Sequence, residues 1–232
     1  MSQKVWSVIP ALDVPRLEQA LPVIEALGRH PFVHGFKLGF SLGLSAGLPA
    51  AVAAIRRHSD KPVIYDHQKA ATDIPSTGAL FARVMEDAGV EEVILFPQAG
   101  PVTLSAWVEA LQARGRKVIV GSAMTHPGYL ASEGGFLLDD APRRMFAAAA
   151  EAGVRAFVLP LTKPEVAEAS IRAAGLPAGC EYYSPGYGSQ GGDPARFGFV
   201  RHHHLIVGRA LLAAEDPVAW VEAARTTLEA CP

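Results

Sequence analysis

Short runs rich in valine, isoleucine and aromatic residues alternate along the chain with stretches in which apolar residues recur every three or four positions. The first pattern predicts strands buried on both faces and the second predicts amphipathic helices. The strand-like runs are 5–12, 35–39, 62–65, 92–96, 117–121, 156–161, 180–184 and 204–207. Between them, Leu17, Leu21, Ile24 and Leu27 share one helical face, as do Leu48, Val52 and Ile55, and then Phe81, Val84, Met85 and Ala88. A last helix carries Val218, Val221 and Leu228 and starts at Asp216-Pro217, a cap followed by a proline in its first turn. Strands that alternate with helices pair in parallel through crossover connections. Eight such units predict an α/β fold of the (β/α)8 TIM-barrel type, whereas an open doubly wound sheet has fewer strands and a glycine-rich first turn. Here the first turn reads Asp13-Val14-Pro15, so the dinucleotide fingerprint is absent.

Composition narrows the class of molecule. The chain has 232 residues, half of them apolar, and no proline- or serine-rich linker divides it, so one barrel domain over residues 1–232 is expected. The net charge of -2, with basic residues scattered, argues against nucleic acid and anionic membranes as partners. Cys180 and Cys231 form neither a metal spacing nor a disulfide framework, in keeping with a reducing compartment. No leader-like start and no apolar run of about 20 residues is present, so a soluble cytoplasmic protein is expected.

In barrels of this type chemistry gathers where the strands end. Polar residues stand at those places: Asp13 after the first strand, Lys37 in the second, Asp66 and Lys69 after the third, Thr125 and His126 after the fifth. A glycine-rich segment, 184–193, follows the seventh, and Gly208-Arg209 follows the eighth. Glycines let backbone amides approach phosphate oxygens, and an arginine adds a planar charged fork for a dianion. Taken alone, Asp66, Lys69 and Asp73 also fit a structural ion-pair cluster at a barrel rim, and the glycines also fit a plain flexible turn.

Read in order, Ala11-Leu12-Asp13, Phe36-Lys37-Leu38-Gly39, Asp73-Ile74-Pro75 with Thr77, Met124-Thr125-His126-Pro127-Gly128, the segment 184–193 and Ile206-Val207-Gly208-Arg209 resemble the orotidine 5'-phosphate decarboxylase family. The resemblance implies a TIM barrel that converts orotidine 5'-phosphate to uridine 5'-phosphate in pyrimidine biosynthesis without cofactor or metal. It also implies roles. Lys69 is the proton donor, flanked by Asp66 at the departing carboxylate and by Asp73, with Lys37 bridging the ribose and the carboxylate network. Asp13 binds ribose hydroxyls, Thr125 the pyrimidine, and Gln190, Gly208 and Arg209 the 5'-phosphate. Asp73 and Thr77 reach into the site of a partner subunit, which makes the protein a homodimer.

One departure is visible. The family motif is Asp-x-Lys-x-x-Asp, whereas this chain reads Asp66-x-x-Lys69-x-x-x-Asp73. Residues i and i+3 point to opposite sides of an extended strand, so Asp66 and Lys69 converge only through a bulge or turn. His67 and Gln68 are the alternative occupants of the lysine position, but neither is a permanent cation at neutral pH. Two other functions share parts of this pattern: a sugar-phosphate decarboxylase or epimerase with the same phosphate grip, and a nucleotide-binding barrel without turnover. His202, His203 and His204 are expected to be solvated, His126 to shape its loop, and Trp6, Trp107 and Trp220 to pack the barrel.

Overall fold

A computed structural model describes residues 4–67 and 73–231. Eight parallel strands form one sheet: β1 (Val5–Pro10), β2 (Phe36–Leu38), β3 (Val63–Asp66), β4 (Glu92–Leu95), β5 (Lys117–Gly121), β6 (Ala156–Val158), β7 (Glu181–Pro185) and β8 (His202–Val207). Neighbours follow chain order from β2 to β8, and β8 pairs with β1. The ring closes between β1 and β2, where the Leu12 amide donates to the Lys37 carbonyl at 2.9 Å and Ala11 lies opposite Lys37 in a parallel bridge. This is a (β/α)8 barrel, and each predicted strand coincides with an observed one to within a few residues.

Helices return the chain between strands, among them Leu21–Leu27, Leu48–Arg56, Pro101–Gln112 and Pro217–Glu229. The last starts as expected: Asp216 accepts from the amides of Val218 at 2.9 Å and Ala219 at 3.0 Å, which satisfies donors that a helix start leaves unpaired. Leu48, Val52 and Ile55 face the core. Two expected stripe members do not. Val84 is 46% exposed and Val218 is 37% exposed, because Ala82 and Ala224 take the inward positions on their helices. Trp6 and Trp107 are buried, and Trp220 packs partly buried against the core.

Alternation along the strands sorts side chains into two cores. Phe36, Leu38, Val63, Tyr65, Val93, Leu95, Val118 and Val120 pack between sheet and helices. The opposite parity fills the barrel interior with Ile9, Ile64, Ile94, Ile119, Val158, Tyr183 and Ile206. Below this apolar layer, toward the strand starts, sits a polar one. Glu181 accepts from Lys117 Nζ at 2.6 Å and from His204 Nε2 at 3.3 Å, and His34 Nε2 lies 3.2 Å from Glu92. The Tyr183 hydroxyl reaches both carboxylates at 3.2 Å. The histidine expectation is therefore corrected. His203 is 0% and His204 7% exposed, because period-two alternation turns one into the outer core and the other into the barrel, and only His202 faces solvent.

Candidate active site

The same alternation that buries Ile64 on β3 brings Asp66 to the barrel axis at the upper end of that strand. On β2, Phe36 and Leu38 face the helices, so Lys37 between them turns inward and is 6% exposed. Asp13, three residues past β1, leans over it. Lys37 Nζ donates to Asp13 Oδ1 at 3.1 Å, to Asp13 Oδ2 at 3.0 Å and to Asp66 Oδ2 at 3.0 Å. Burial works against the ammonium, but Asp66 and Asp13 outweigh it and hold its pKa above the usual lysine value. A charge cluster with its lysine buried rarely stabilises a fold better than apolar packing does, so its place at the barrel mouth points to chemistry. The cluster also carries one negative charge in excess. Asp66 Oδ1 is buried and has no hydrogen-bond partner among the described residues.

The cluster lines one side of a cavity of about 240 Å³. Ala11, Ile94, Phe96, Val158 and Ile206 form its apolar floor, and Met124, Thr125, Gly186, Gln190, Gly208 and Arg209 complete the lining, with Gly208 next to the cluster: a Cβ there would stand 3.9 Å from Asp13 Oδ2. The glycine-rich segment folds into a tight loop. The Gly192 amide donates to the Gly186 carbonyl at 2.9 Å, and Gly186 takes a φ of +116° that a side chain would strain. A Cβ on Gly192 would meet Leu161 at 2.9 Å, so the loop lies flat against the turn after β6. Gln190 and Arg209 extend from these backbones as exposed side chains at the cavity edge. The arrangement offers a mixed-charge cluster, a glutamine and an arginine beside glycine backbone, and an apolar floor that suits a flat ring.

Of the residues expected at the site, Asp13, Lys37, Asp66, Thr125, Gln190, Gly208 and Arg209 line this one cavity. Lys69 lies outside the described residues. Asp73 and Thr77 are not in the cavity: Asp73 precedes and Thr77 ends the 3-10 turn Pro75–Thr77, and both line a separate depression with Tyr65, Leu80 and Trp107. There Asp73 accepts from the Ile74 amide at 2.7 Å and Thr77 donates to the Ile74 carbonyl at 2.7 Å. His126 is exposed and turned to its own loop, with Nδ1 at 2.9 Å from the Pro127 carbonyl. Sequence reasoning missed the cavity floor, because Ile94, Phe96 and Ile206 look like ordinary strand residues. Their parity with Asp13, Lys37 and Asp66 was the available signal. The motif Phe36-Lys37-Leu38-Gly39 carried no role for its glycine, and the segment around Leu130 turns back so that Leu130 bridges Leu137.

Comparison with known proteins agrees with this geometry. Residues 7–224 match the model of the orotidine 5'-phosphate decarboxylase / HUMPS family. The chain is 34% identical over 216 residues to an orotidine 5'-phosphate decarboxylase of Methanosarcina barkeri, covering 93% of this chain and 91% of that one. It is 30% identical over 217 residues to that of Thermoplasma acidophilum, covering 93% and 92%. Among solved structures, the orotidine 5'-monophosphate decarboxylase of Methanocaldococcus jannaschii, complexed with the inhibitor BMP, superposes with a TM-score of 0.82 at 26% identity, covering 98% of this chain and 99% of that one. The orotidine 5'-phosphate decarboxylase of Pyrococcus horikoshii gives 0.78 at 25% identity, covering 95% and 98%. With the family model spanning residues 7–224 and a relative 34% identical over 93% of the chain, the chain belongs to the orotidine 5'-phosphate decarboxylase / HUMPS family.

Proposed function

We propose that this chain, acting as one barrel domain, decarboxylates orotidine 5'-phosphate to uridine 5'-phosphate as a carboxy-lyase of pyrimidine biosynthesis. The observation that carries the reading is Lys37 clamped between Asp13 and Asp66 in a cavity that Gly186, Gln190 and Arg209 also line. In the reaction the C6–carboxylate bond breaks, carbon dioxide leaves, and the electron pair stays on C6 in the ring plane, where the ring π system cannot delocalise it. A fixed ammonium beside C6 stabilises that charge and then delivers the proton. Lys69 is assigned this role. The unpartnered Asp66 Oδ1 and the excess negative charge of the described cluster both suit a second cation arriving from the segment that follows β3.

Asp66 faces the departing carboxylate, Asp13 and Lys37 take the ribose hydroxyls, and Thr125 takes the pyrimidine. Gln190, Arg209 and the amides at Gly208 hold the phosphate, whose binding energy is expressed in the rate when the loop closes over the ring. No metal or cofactor takes part. Asp73 and Thr77 lie outside their own cavity, beside Ile74 at 59% and Leu80 at 66% exposure, which supports a homodimer in which they complete the partner's site. Among the described residues no helix is long and apolar enough to cross a membrane, in keeping with a cytoplasmic enzyme.

The test is the loss of orotidine 5'-phosphate absorbance with purified protein, with and without chelator. Turnover is expected to resist the chelator and to vanish in Lys69→Ala. Arg209→Ala is expected to raise KM by about tenfold or more, as loss of a charge-assisted contact does, with unchanged thermal unfolding. Wild-type protein that binds uridine 5'-phosphate yet releases no carbon dioxide would overturn the assignment.

A further inference from the structure

The geometry points to Gly39 as a positioning residue of the site: its missing side chain is what lets the Asp13 carboxylate close on Lys37. Gly39 follows β2, two residues after Lys37, and is buried. Its backbone, at φ -104° and ψ -173°, is extended and open to any residue, so no conformational demand explains a glycine there. The space explains it. A Cβ built on Gly39 would lie 2.4 Å from Asp13 Oδ1 and 3.8 Å from Lys37 Nζ. The first distance is far inside van der Waals contact, so Asp13 could not stay where it accepts from Lys37 through both oxygens.

The conflict has an easy exit for the fold and a costly one for the site. Asp13 is 49% exposed, so its side chain can rotate into solvent without disturbing the barrel. Lys37, at 7% side-chain exposure, cannot follow and would keep Asp66 alone. Gly39→Ala is therefore expected to leave stability intact and to mimic the loss of Asp13, because a carboxylate displaced by about 1 Å from a reacting array lowers turnover by as much as 10²-fold. This role rests on the proposed function only where it is read through turnover; the contact itself is independent of substrate.

The test is a double-mutant cycle on full-length protein with Gly39→Ala, Asp13→Ala and the double variant, read in three ways: thermal unfolding, the side-chain ammonium resonance of Lys37 by nitrogen-15 NMR, and kcat/KM with orotidine 5'-phosphate. The resonance is identified by its absence in Lys37→Arg. Gly39→Ala is expected to unfold like wild type, to shift the Lys37 resonance as Asp13→Ala does, and to lower kcat/KM by about 10²-fold. In the Asp13→Ala background the glycine substitution is expected to leave the Lys37 resonance unmoved and kcat/KM within about twofold, since the group it displaces is gone. An unshifted Lys37 resonance in Gly39→Ala, or losses that multiply in the double variant, would overturn the role. If wild type shows no turnover while the resonance shifts as described, the decarboxylase reading fails and the positioning role stands.

Discussion

Phe96 lies across the top of the barrel on the floor of the cavity, and the residue beneath its ring is Gly121. A Cβ at Gly121 would stand 2.2 Å from Phe96 Cζ and 2.4 Å from Cε2. The ring is 2% exposed and lines the cavity, so alanine at 121 would force it to shift at the pocket wall. Gly121→Ala is expected to cost about 1–3 kcal/mol through overpacking and to weaken uridine 5'-phosphate binding, checked by thermal unfolding and by titration calorimetry. Wild-type affinity in this variant would show that Phe96 moves elsewhere. Residues such as these mark the limit of what the sequence discloses. Asp13, Lys37, Asp66 and Arg209 were legible because charges after apolar runs are costly unless used. Gly39 and Gly121 were not, because what they contribute is an absent side chain, and its value depends on a neighbour distant in sequence.

At the scale of elements, the strands were legible because each is a short apolar run, and the parity of each run set which face it presents. The polar floor was harder to see. Glu92, Lys117 and Glu181 stand at strand starts, where a charge normally meets solvent, and only closure of the ring brings them together with His34 and His204. His204 illustrates the logic of the layer. Burial lowers its pKa despite Glu181, so it is neutral, and its neighbours fix one tautomer: Nδ1 accepts from Ser7 Oγ at 2.6 Å while Nε2 donates to Glu181. Hydrogen bonds from His204 and Lys117 hold the Glu181 carboxyl well below the usual carboxylate range. Burial pushes Glu92 the other way, but His34 and Lys117 outweigh it and leave its pKa lowered too. A carboxylate with a depressed folded pKa contributes stability that is present above its unfolded pKa of about 4.3 and is lost as pH falls toward the folded value. The melting temperature of wild type is therefore expected to drop steeply between about pH 5 and pH 3, with a shallower drop in Glu181→Gln. Parallel curves for the two proteins would remove Glu181 from the account.

At the scale of the whole molecule, the displaced pair Asp73 and Thr77 decides how many chains make an active unit. If each chain lends these residues to its neighbour, the defects of two inactive variants are complementary. Lys69→Ala lacks the donor in its own cavity, and Asp73→Asn damages only the partner's. Mixed in equal amounts and allowed to exchange subunits, they are expected to recover roughly a quarter of wild-type activity, since half the dimers are mixed and each mixed dimer has one intact site. A mixture as inactive as its components would place Asp73 in its own chain's site or outside the mechanism. The expectation of a dimer comes only through family resemblance, because exposed side chains such as Ile74 and Leu80 do not reveal in sequence which surface would cover them.

The isoleucine layer gives the barrel one further property. Ile9, Ile64 and Ile119 are fully buried, Ile94 is 1% exposed, and the ionic layer seals the end beneath them. The cavity is thus a blind well rather than a passage. For the proposed reaction, substrate, carbon dioxide and nucleotide product all enter and leave on the strand-end side of the barrel, where the charge cluster and the glycine-rich loop lie. Opening of that face beside Gly186 and Gln190 then belongs to the turnover cycle of the proposed reaction as much as the charges around Lys37 do.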